Sequence, residues 1–564
     1  MHAVFLDWQG PGTIALRTQQ RCNVSSGLLV YLGPMPTFAA VDVGSNSCRL
    51  KIARVVSHQL KTLHEDREVT RLGSSVFESG LISPEAMAAT LRALKRFQRA
   101  VQAHAPDRIR VVATSAMRDA RNAAAFTKWV KAETGWNMEV ISGLEEGRLI
   151  HRGVMSGDPG VHGKALLIDL GGGSCEITFS ENKRIRETIS APLGAVRLTE
   201  EFLAAADPAP PEGLARMRQL IARELRRARR RIPQETVSHV IATSGTAAAL
   251  ADACAALIKS AGFAGKRART TRRPDTAWRT VSAGMAEFAP AELVRKLSTR
   301  IAKMTLPERE AMPGIGPRRA EIIVAGAEVY SELLETFGLP GFRYSPLGLR
   351  DGILALMLDE TDALASGHRE FERERWESVL ATARRYGVDA RQAEPVRAHA
   401  LQLYRELRNL HDLPPEWENW LAAAAVLRDT GKFINHQGHH RHTQYIVSSS
   451  ELYGFTPVQR TIISAISRYL GKSQPQPEDR AMRNIPPEEH KHVHCAVALL
   501  RLAVALNQDR ASDVLRVSAK VYPKRVYIEI KPGRTGAELE LWSLRKEAGY
   551  FREVFGRELF PTLA

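Results

Sequence analysis

The sequence predicts an α/β protein built on an internal duplication, followed by an all-helical stretch and a small α/β unit. Three observations carry this expectation. One short pattern occurs twice, as Ala40-Val41-Asp42-Val43-Gly44-Ser45-Asn46-Ser47-Cys48 and as Leu167-Ile168-Asp169-Leu170-Gly171-Gly172-Gly173-Ser174-Cys175. Strand-like and helix-like patterns alternate around both copies up to about Leu364. Beyond that point Glu370 to about Leu506 reads as almost wholly helical, rich in Arg and His, before alternation returns at Val514–Val521 and Val526–Ile530.

In each copy an apolar run ends in Asp, a turn of small residues follows, and a second apolar run leads away. The same offset separates the Asp, first Gly, last Ser and Cys of the two copies. This is the pattern of a duplicated β-hairpin whose turn holds phosphate. Small residues let backbone N–H groups close on phosphate oxygens, and an Asp at the strand end reaches a metal or a water. Two such hairpins facing each other grip a phosphate chain from both sides, so a phosphate-handling enzyme is the expected class. The second copy adds Glu176, and two carboxylates then bracket the glycine turn as hard ligands suited to Mg²⁺. The first copy has Arg49 at that position, so the halves are chemically unequal.

The local elements follow in order. Ala39–Val43 and Cys48–Val56 form the first hairpin. Ser83 caps a helix over Pro84–Ala103, with Pro84 at its first position. Arg110–Ala113 and Glu139–Ile141 are further strands. The second copy runs from Lys164 and continues in a strand at Val237–Ala242, an Ala-rich helix and a long helix over Arg319–Gly338. Tyr344–Gly352 returns to the cleft.

Composition narrows the partners. The 564 residues suffice for three or four domains. An apolar content of 44% and a charged content of 25% are ordinary, but a formal net charge of +17 favours a polyanion: nucleic acid, anionic lipid or a phosphate polymer. Cys22, Cys48, Cys175, Cys254 and Cys495 lack metal-like spacing and point to a reducing, cytoplasmic setting. No apolar run reaches the roughly 18 residues of a membrane span. The arginines between Arg223 and Arg231, and the run from Lys266 to Arg273, lack interleaved aromatics and read as solvated faces.

Three further segments can carry chemistry. Ser142 and Glu145 form a capping box, which leaves Glu146 to project from the first helical turn. There it either accepts a proton from an attacking water or complements the helix dipole. Thr114-Ser115-Ala116-Met117-Arg118 follows a strand, and Arg118 offers a fork of donors to phosphate. Thr243-Ser244-Gly245-Thr246 is a strand-to-helix turn suited to an anion, or to an ordinary N-cap.

These motifs, in this order and joined by Leu193–Thr199 and Leu347–Gly352, resemble the exopolyphosphatase / guanosine pentaphosphate phosphatase (Ppx/GppA) family from Phe38 to about Leu354. A fainter likeness continues toward the C-terminus. The resemblance implies tandem actin-like (ribonuclease H-like) α/β domains, then an all-α HD-like domain and the small C-terminal α/β unit. The expected division is an N-terminal extension (disordered or an over-called start) over 1–37, actin-like domains over 38–155 and 156–364, the helical domain over 365–510, and the last unit over 511–564.

The implied activity is Mg²⁺-dependent hydrolysis of a terminal phosphoanhydride, with K⁺ as a further cation to consider. Glu146 would be the general base, Asp169 and Glu176 would arrange metal and water, and Asp42 would assist as a metal ligand. Gly44, Ser45, Asn46, Ser47, Arg118, Gly171, Gly172, Gly173, Ser174, Ser244, Gly245 and Thr246 would hold phosphates. The expected substrate is inorganic polyphosphate, with guanosine pentaphosphate as the alternative, and the expected assembly is a homodimer. A binding regulator without turnover is a rival reading, opposed by the intact Glu146, Asp169 and Glu176; an actin-like ATPase or kinase is another.

The chain departs from the family pattern at Cys175, where Thr is usual, and at Gly147, where Ala is frequent. The cysteine is expected to remove a hydroxyl from the cleft. In the helical region Arg428 stands where a metal-binding HD site needs His, and His411-Asp412 lies before Leu-Pro-Pro in an expected loop. His436, His439, His440 and His442 are expected in a basic loop near the substrate path.

Overall fold

The computed structural model describes residues 36–564 apart from 234, 261–287, 363–366, 472, 509–513 and 533–535. The expected N-terminal extension, Cys22 and the basic run from Lys266 to Arg273 lie outside the described residues, except that residue 37 already opens the first strand.

The first sheet contains β1 (Thr37–Val43), β2 (Ser47–Val56), β3 (Gln59–Val69), β4 (Arg108–Ala113) and β5 (Met138–Val140) in the order β3-β2-β1-β4-β5. The first three strands are antiparallel, and β4 and β5 continue parallel to β1. β1 is apolar along most of its length because both faces of the sheet are covered. Helix α1 (Pro84–His104) starts as its sequence dictates, the Ser83 hydroxyl accepting from the Ala86 N–H at 3.2 Å. Its Leu91, Leu94 and Phe97 pack on Val41, Leu50 and Val111.

After α2 (Gly143–Gly157) the pattern repeats. β6 (Lys164–Leu170), β7 (Cys175–Glu181), β8 (Arg184–Ala191), β9 (His239–Thr243), β10 (Phe288–Pro290) and β11 (Gly341–Tyr344) take the order β10-β11-β9-β6-β7-β8. Apart from the added edge strand β10, this is the strand order of the first sheet. Helices α3 (Pro211–Arg231), α4 (Ser244–Ser260) and α5 (Ile323–Thr336) share its core through Met217, Leu250 and Val329. The helix expected from Arg319 begins only at Ile323. Gly314 and Gly316, at φ of 90° and 64°, hold the preceding residues in turns. The arginines of α3 lie on a solvated face, where Arg223 and Arg227 pair with Glu224, and Arg231 with Glu187.

Helix α6 (Leu349–Thr361) was not foreseen, and it crosses back to the first sheet. Its Ile353 and Met357 pack on Phe38, Ala40 and Ala53, while Val154 and Met155 of α2 pack on Leu167 and Ile241 of the second sheet. The two helices touch backbone to backbone. A Cβ on Gly153 would stand 2.4 Å from the Gly348 carbonyl oxygen, and one on Gly352 only 1.8 Å from that of Leu149.

The remainder comprises α7 (His368–Arg385), α8 (Ala390–Glu406), α9 (Trp417–Leu427), α10 (His439–Ser449), α11 (Pro457–Arg468), α12 (His490–Ala505), β12 (Arg516–Val521), β13 (Arg525–Lys531), α13 (Glu538–Phe555) and β14 (Glu558–Leu563). The sequence divides this part at 510, but Leu403, Trp417 and Leu499 share one core with Val526, Ile528 and Phe551. His411 ends a short helix, and both ring nitrogens bond backbone, to the Tyr404 carbonyl and the Leu413 N–H. Arg428 donates to the carbonyls of Ala425 and Gln392. The expected histidine loop is corrected: His439, His440 and His442 belong to α10, and none of the four histidines lines the cleft described below. Among the described residues no helix is long and apolar enough to cross a membrane.

Gly352→Ala should lower unfolding stability by about 2–3 kcal/mol, because the added methyl meets main chain that cannot step aside. Urea denaturation of the purified variant against wild type measures it.

Candidate active site

Register builds the site. Across the first sheet Asp42, Arg49 and Arg67 form one row; across the second, Thr243, Asp169, Glu176 and Ser190 form another. The two outer pairs of the second row bond directly. The Thr243 hydroxyl donates to Asp169, and the Ser190 hydroxyl donates to Glu176 Oε1 at 2.7 Å. The two rows end at the two turns, and the turns meet. A Cβ on Gly172 would lie 3.0 Å from that of Ser45, and one on Gly173 would lie 2.4 Å from the Ser115 hydroxyl.

The turns are braced from behind. Gly171 and Gly172 accept from the N–H groups of Ala195, Val196 and Arg197, and Gly173 accepts from the Arg197 guanidinium. In the first turn, Asn46 O accepts from the N–H groups of Thr70 and Arg71, and Ser45 Oγ accepts from Ala116 N–H. With these acceptors engaged, the turns have amide donors left for an anion.

A cavity of about 750 Å³ opens over both turns. It brings together Asp42, Gly44, Ser45, Asn46, Ser47, Glu146, Asp169, Gly171, Gly172, Gly173, Ser174, Ser244 and Gly245. Three expected site residues stand outside its lining. The Arg118 guanidinium donates to Glu146 Oε2 and to the Ile141 carbonyl, both at 2.9 Å, and to Ser174 Oγ at 3.2 Å, so it holds the carboxylate rather than open space. Glu176 lies behind the lining, its Oε2 buried without a partner among the described residues. Thr246 is buried, with its methyl against Gly326. Ser244 lines the cavity while its hydroxyl caps the Leu170 carbonyl.

The departures also find their places. Cys175 is fully buried in the second core, so the expected loss of a cleft hydroxyl is corrected: this position faces apolar neighbours. At Gly147 a Cβ would meet the Thr188 methyl at 2.6 Å, so glycine lets α2 seat against β8.

The cavity is electrostatically divided. At its buried end, desolvation raises the carboxyls of Glu146 and Glu176, and Asp169 adds like charge to both. Arg118 opposes the shift at Glu146. Asp42 and Asp169 are raised for the same first reason, against the pull of Arg49. Beyond them stand Arg49, Arg67, Arg318, Arg319 and Arg350. Burial and neighbouring guanidiniums depress Arg67 to about 10 and Arg319 to about 9. Buried N–H groups of Arg49 and Arg67 have no partner among the described residues. Sequence reading missed Arg67, Arg318 and Arg319 altogether. Beside the first turn Arg71 and Glu321 pair at 2.8 Å, joining the segment after β3 to the turns ahead of α5.

Carboxylates that raise one another by like charge fit a divalent cation. Asp42 Oδ1 is buried without a partner among the described residues, and Asp42 and Asp169 both reach the cavity. Among the described residues no three His, Cys, Asp or Glu side chains converge as a closed cage. The carboxylate oxygens of Asp42 and Asp169 are hard ligands of the kind that suit an ion such as Mg²⁺, which keeps waters and takes further ligands from phosphate oxygens.

Residues 51–361 match the sequence model of the Ppx/GppA phosphatase family, and residues 374–548 match that of Ppx/GppA phosphatase domain III. A solved Ppx/GppA family member from Aquifex aeolicus is 27% identical, with a TM-score of 0.46, over 58% of this chain and 99% of its own. An exopolyphosphatase from Cytophaga hutchinsonii is 24% identical, with a TM-score of 0.50, over 57% of this chain and 98% of its own. An exopolyphosphatase-like protein is 26% identical with the same TM-score and coverage.

A Cβ on Gly245 would fall 1.8 Å from Arg319 Nη2, so Gly245→Ala should displace that guanidinium. The side chain is flexible at its far end, so the thermal midpoint should stay near wild type while KM for a phosphate polyanion rises about tenfold. Steady-state kinetics beside a melting curve check both.

Proposed function

The chain belongs to the Ppx/GppA phosphatase family, and from that premise we propose that it is an exopolyphosphatase, releasing the end phosphate of inorganic polyphosphate. The observation that carries this reading is the polarity of the cleft. Its deep end holds the carboxylates, and its approach is lined by five arginines, from half-buried Arg49 to exposed Arg318. A linear polyanion fits that gradient tip first. The similarity to the exopolyphosphatase-like protein described above supports the same substrate class.

Glu146 is placed to take the proton of a water attacking the terminal phosphorus in line. Its raised proton affinity suits a base working near neutrality. Arg118 fixes its Oε2 and ties it to the second turn through Ser174. Turn amides and the nearer arginines stabilise charge on the equatorial and leaving oxygens. Asp42 and Asp169 would hold Mg²⁺, with Glu176 behind them, and the ion when bound supplies further charge neutralisation.

A second reading rests on one lining segment. Ala248, Ala249, Ile315 and half-buried Tyr344 give the cavity a partly apolar wall, which suits the nucleoside of guanosine pentaphosphate. Phosphate release from long polyphosphate and from guanosine pentaphosphate, measured in parallel with Mg²⁺, separates the two. Faster release from the nucleotide overturns the first reading.

Glu146→Gln should lower kcat about 1,000-fold or more and leave polyphosphate affinity within about threefold. A near-normal rate would remove Glu146 from the base role. Mg²⁺ should raise the thermal midpoint of wild type and lose that effect in Asp42→Asn, as differential scanning fluorimetry would read.

A further inference from the structure

The helix that carries Glu146 shows a second charged face. Glu145, Arg148 and Arg152 are spaced three and four residues apart, so they line one side of α2, and that side meets the helical region. Arg152 is the centre of the junction. Its Nε and Nη2 donate to Asp359 Oδ2 of α6 at 2.9 and 2.6 Å, and its Nη1 donates to the Tyr453 hydroxyl. Glu374 of α7 lies 3.8 Å from Nη1, and the guanidinium sits over the Phe371 ring at 5.2 Å. The Arg152 and Asp359 side chains are only 11% and 9% exposed. One turn nearer Glu146, Arg148 stands over the Tyr453 ring at 5.2 Å. At the first turn, Ser142 and Glu145 line a small cavity with Leu452, Phe455, Pro457 and Arg460.

Every turn of α2 from its N-cap to Arg152 is thus seated on the segment 452–460 or on α7. The opposite side of the same first turn delivers Glu146 to the cleft. We propose that the helical region is a brace for the base-bearing helix, and that Arg152 is the positioning residue through which it acts. The proposal rests on the role of Glu146 given above. None of these contacts reaches the cavity, so the brace bears on how firmly Glu146 is held and not on how substrate is gripped. A rotation of α2 that moves a carboxylate by about 1 Å is enough to cost a large factor in rate.

Full-length Tyr453→Phe, Arg152→Lys and Arg152→Met test it with two readouts. One is kcat and KM on tripolyphosphate with Mg²⁺. The other is amide hydrogen exchange of the first turns of α2. Expected are a kcat about tenfold lower in Arg152→Met, partial rescue in Arg152→Lys, about threefold loss in Tyr453→Phe, and KM within about twofold throughout. Exchange in the first turns of α2 should quicken while the exchange of α1 does not. Wild-type kcat and unchanged exchange in Tyr453→Phe and Arg152→Lys would overturn the brace. So would a loss in which KM rises as kcat falls. If Arg152→Met does not fold, Tyr453→Phe decides, because it removes one hydroxyl and leaves the ion pair. If wild type releases no phosphate from tripolyphosphate or from long polyphosphate, the exopolyphosphatase reading fails, and the exchange experiment alone then judges the brace.

Discussion

The close crossing of α2 and α6 at Gly153 and Gly352 is the constraint on which the rest hangs. α2 lies on the second sheet and α6 on the first, so this one backbone contact sets the distance between the sheets. The sheets in turn carry the two hairpins, whose turns meet at Ser45 and Gly172. α2 also presents Glu146. One crossing therefore fixes the facing of the turns, the depth of the cleft and the approach of the base. Only glycine permits it, since any side chain would hold the helices apart.

Charge within the cleft is organised by depth. Buried carboxylates at one end and buried guanidiniums at the other each lose hydration, and like charges within each group repel. Some of this is met inside the protein. Lys51 bridges Glu65 and Asp351, Arg118 holds Glu146, and Thr243 and Ser190 satisfy single carboxylate oxygens. What is left over among the described residues is complementary to a cation bound next to a polyanion: unpartnered oxygen on Asp42 and unpartnered N–H on Arg49 and Arg67. A site of this kind stores its binding energy as unmet polar groups, held in place by surrounding structure.

Much of this was legible in the sequence, and the limits have physical causes. The two hairpins could be read because strand, Asp and small-residue turn are local features, and their repetition removed ambiguity. Ser83 and Ser142 announced their helices for the same reason. The arginines could not be found this way. Arg67 and Arg319 come together only through sheet register and the turns ahead of α5, and no spacing links them. α6 was missed because its apolar residues surround it on all sides, which blurs the helical period. Cys175 and Thr246 misled because a residue beside a functional turn can equally point into the core. The HD-like character of the helical region stays an analogy, with His411 and Arg428 occupied by main-chain hydrogen bonds.

The Arg71–Glu321 pair beside the first turn has a mechanical consequence. The side chains are 59% and 48% exposed, so water and salt screen the pair and its worth is about 0–1 kcal/mol. Elsewhere the halves are joined by the packed main chain of α2 and α6, where there is no charge for salt to screen. The two halves are thus held by contacts of unequal character: packed glycine main chain that salt leaves untouched, and an exposed ion pair worth little more than thermal energy, which rising ionic strength weakens.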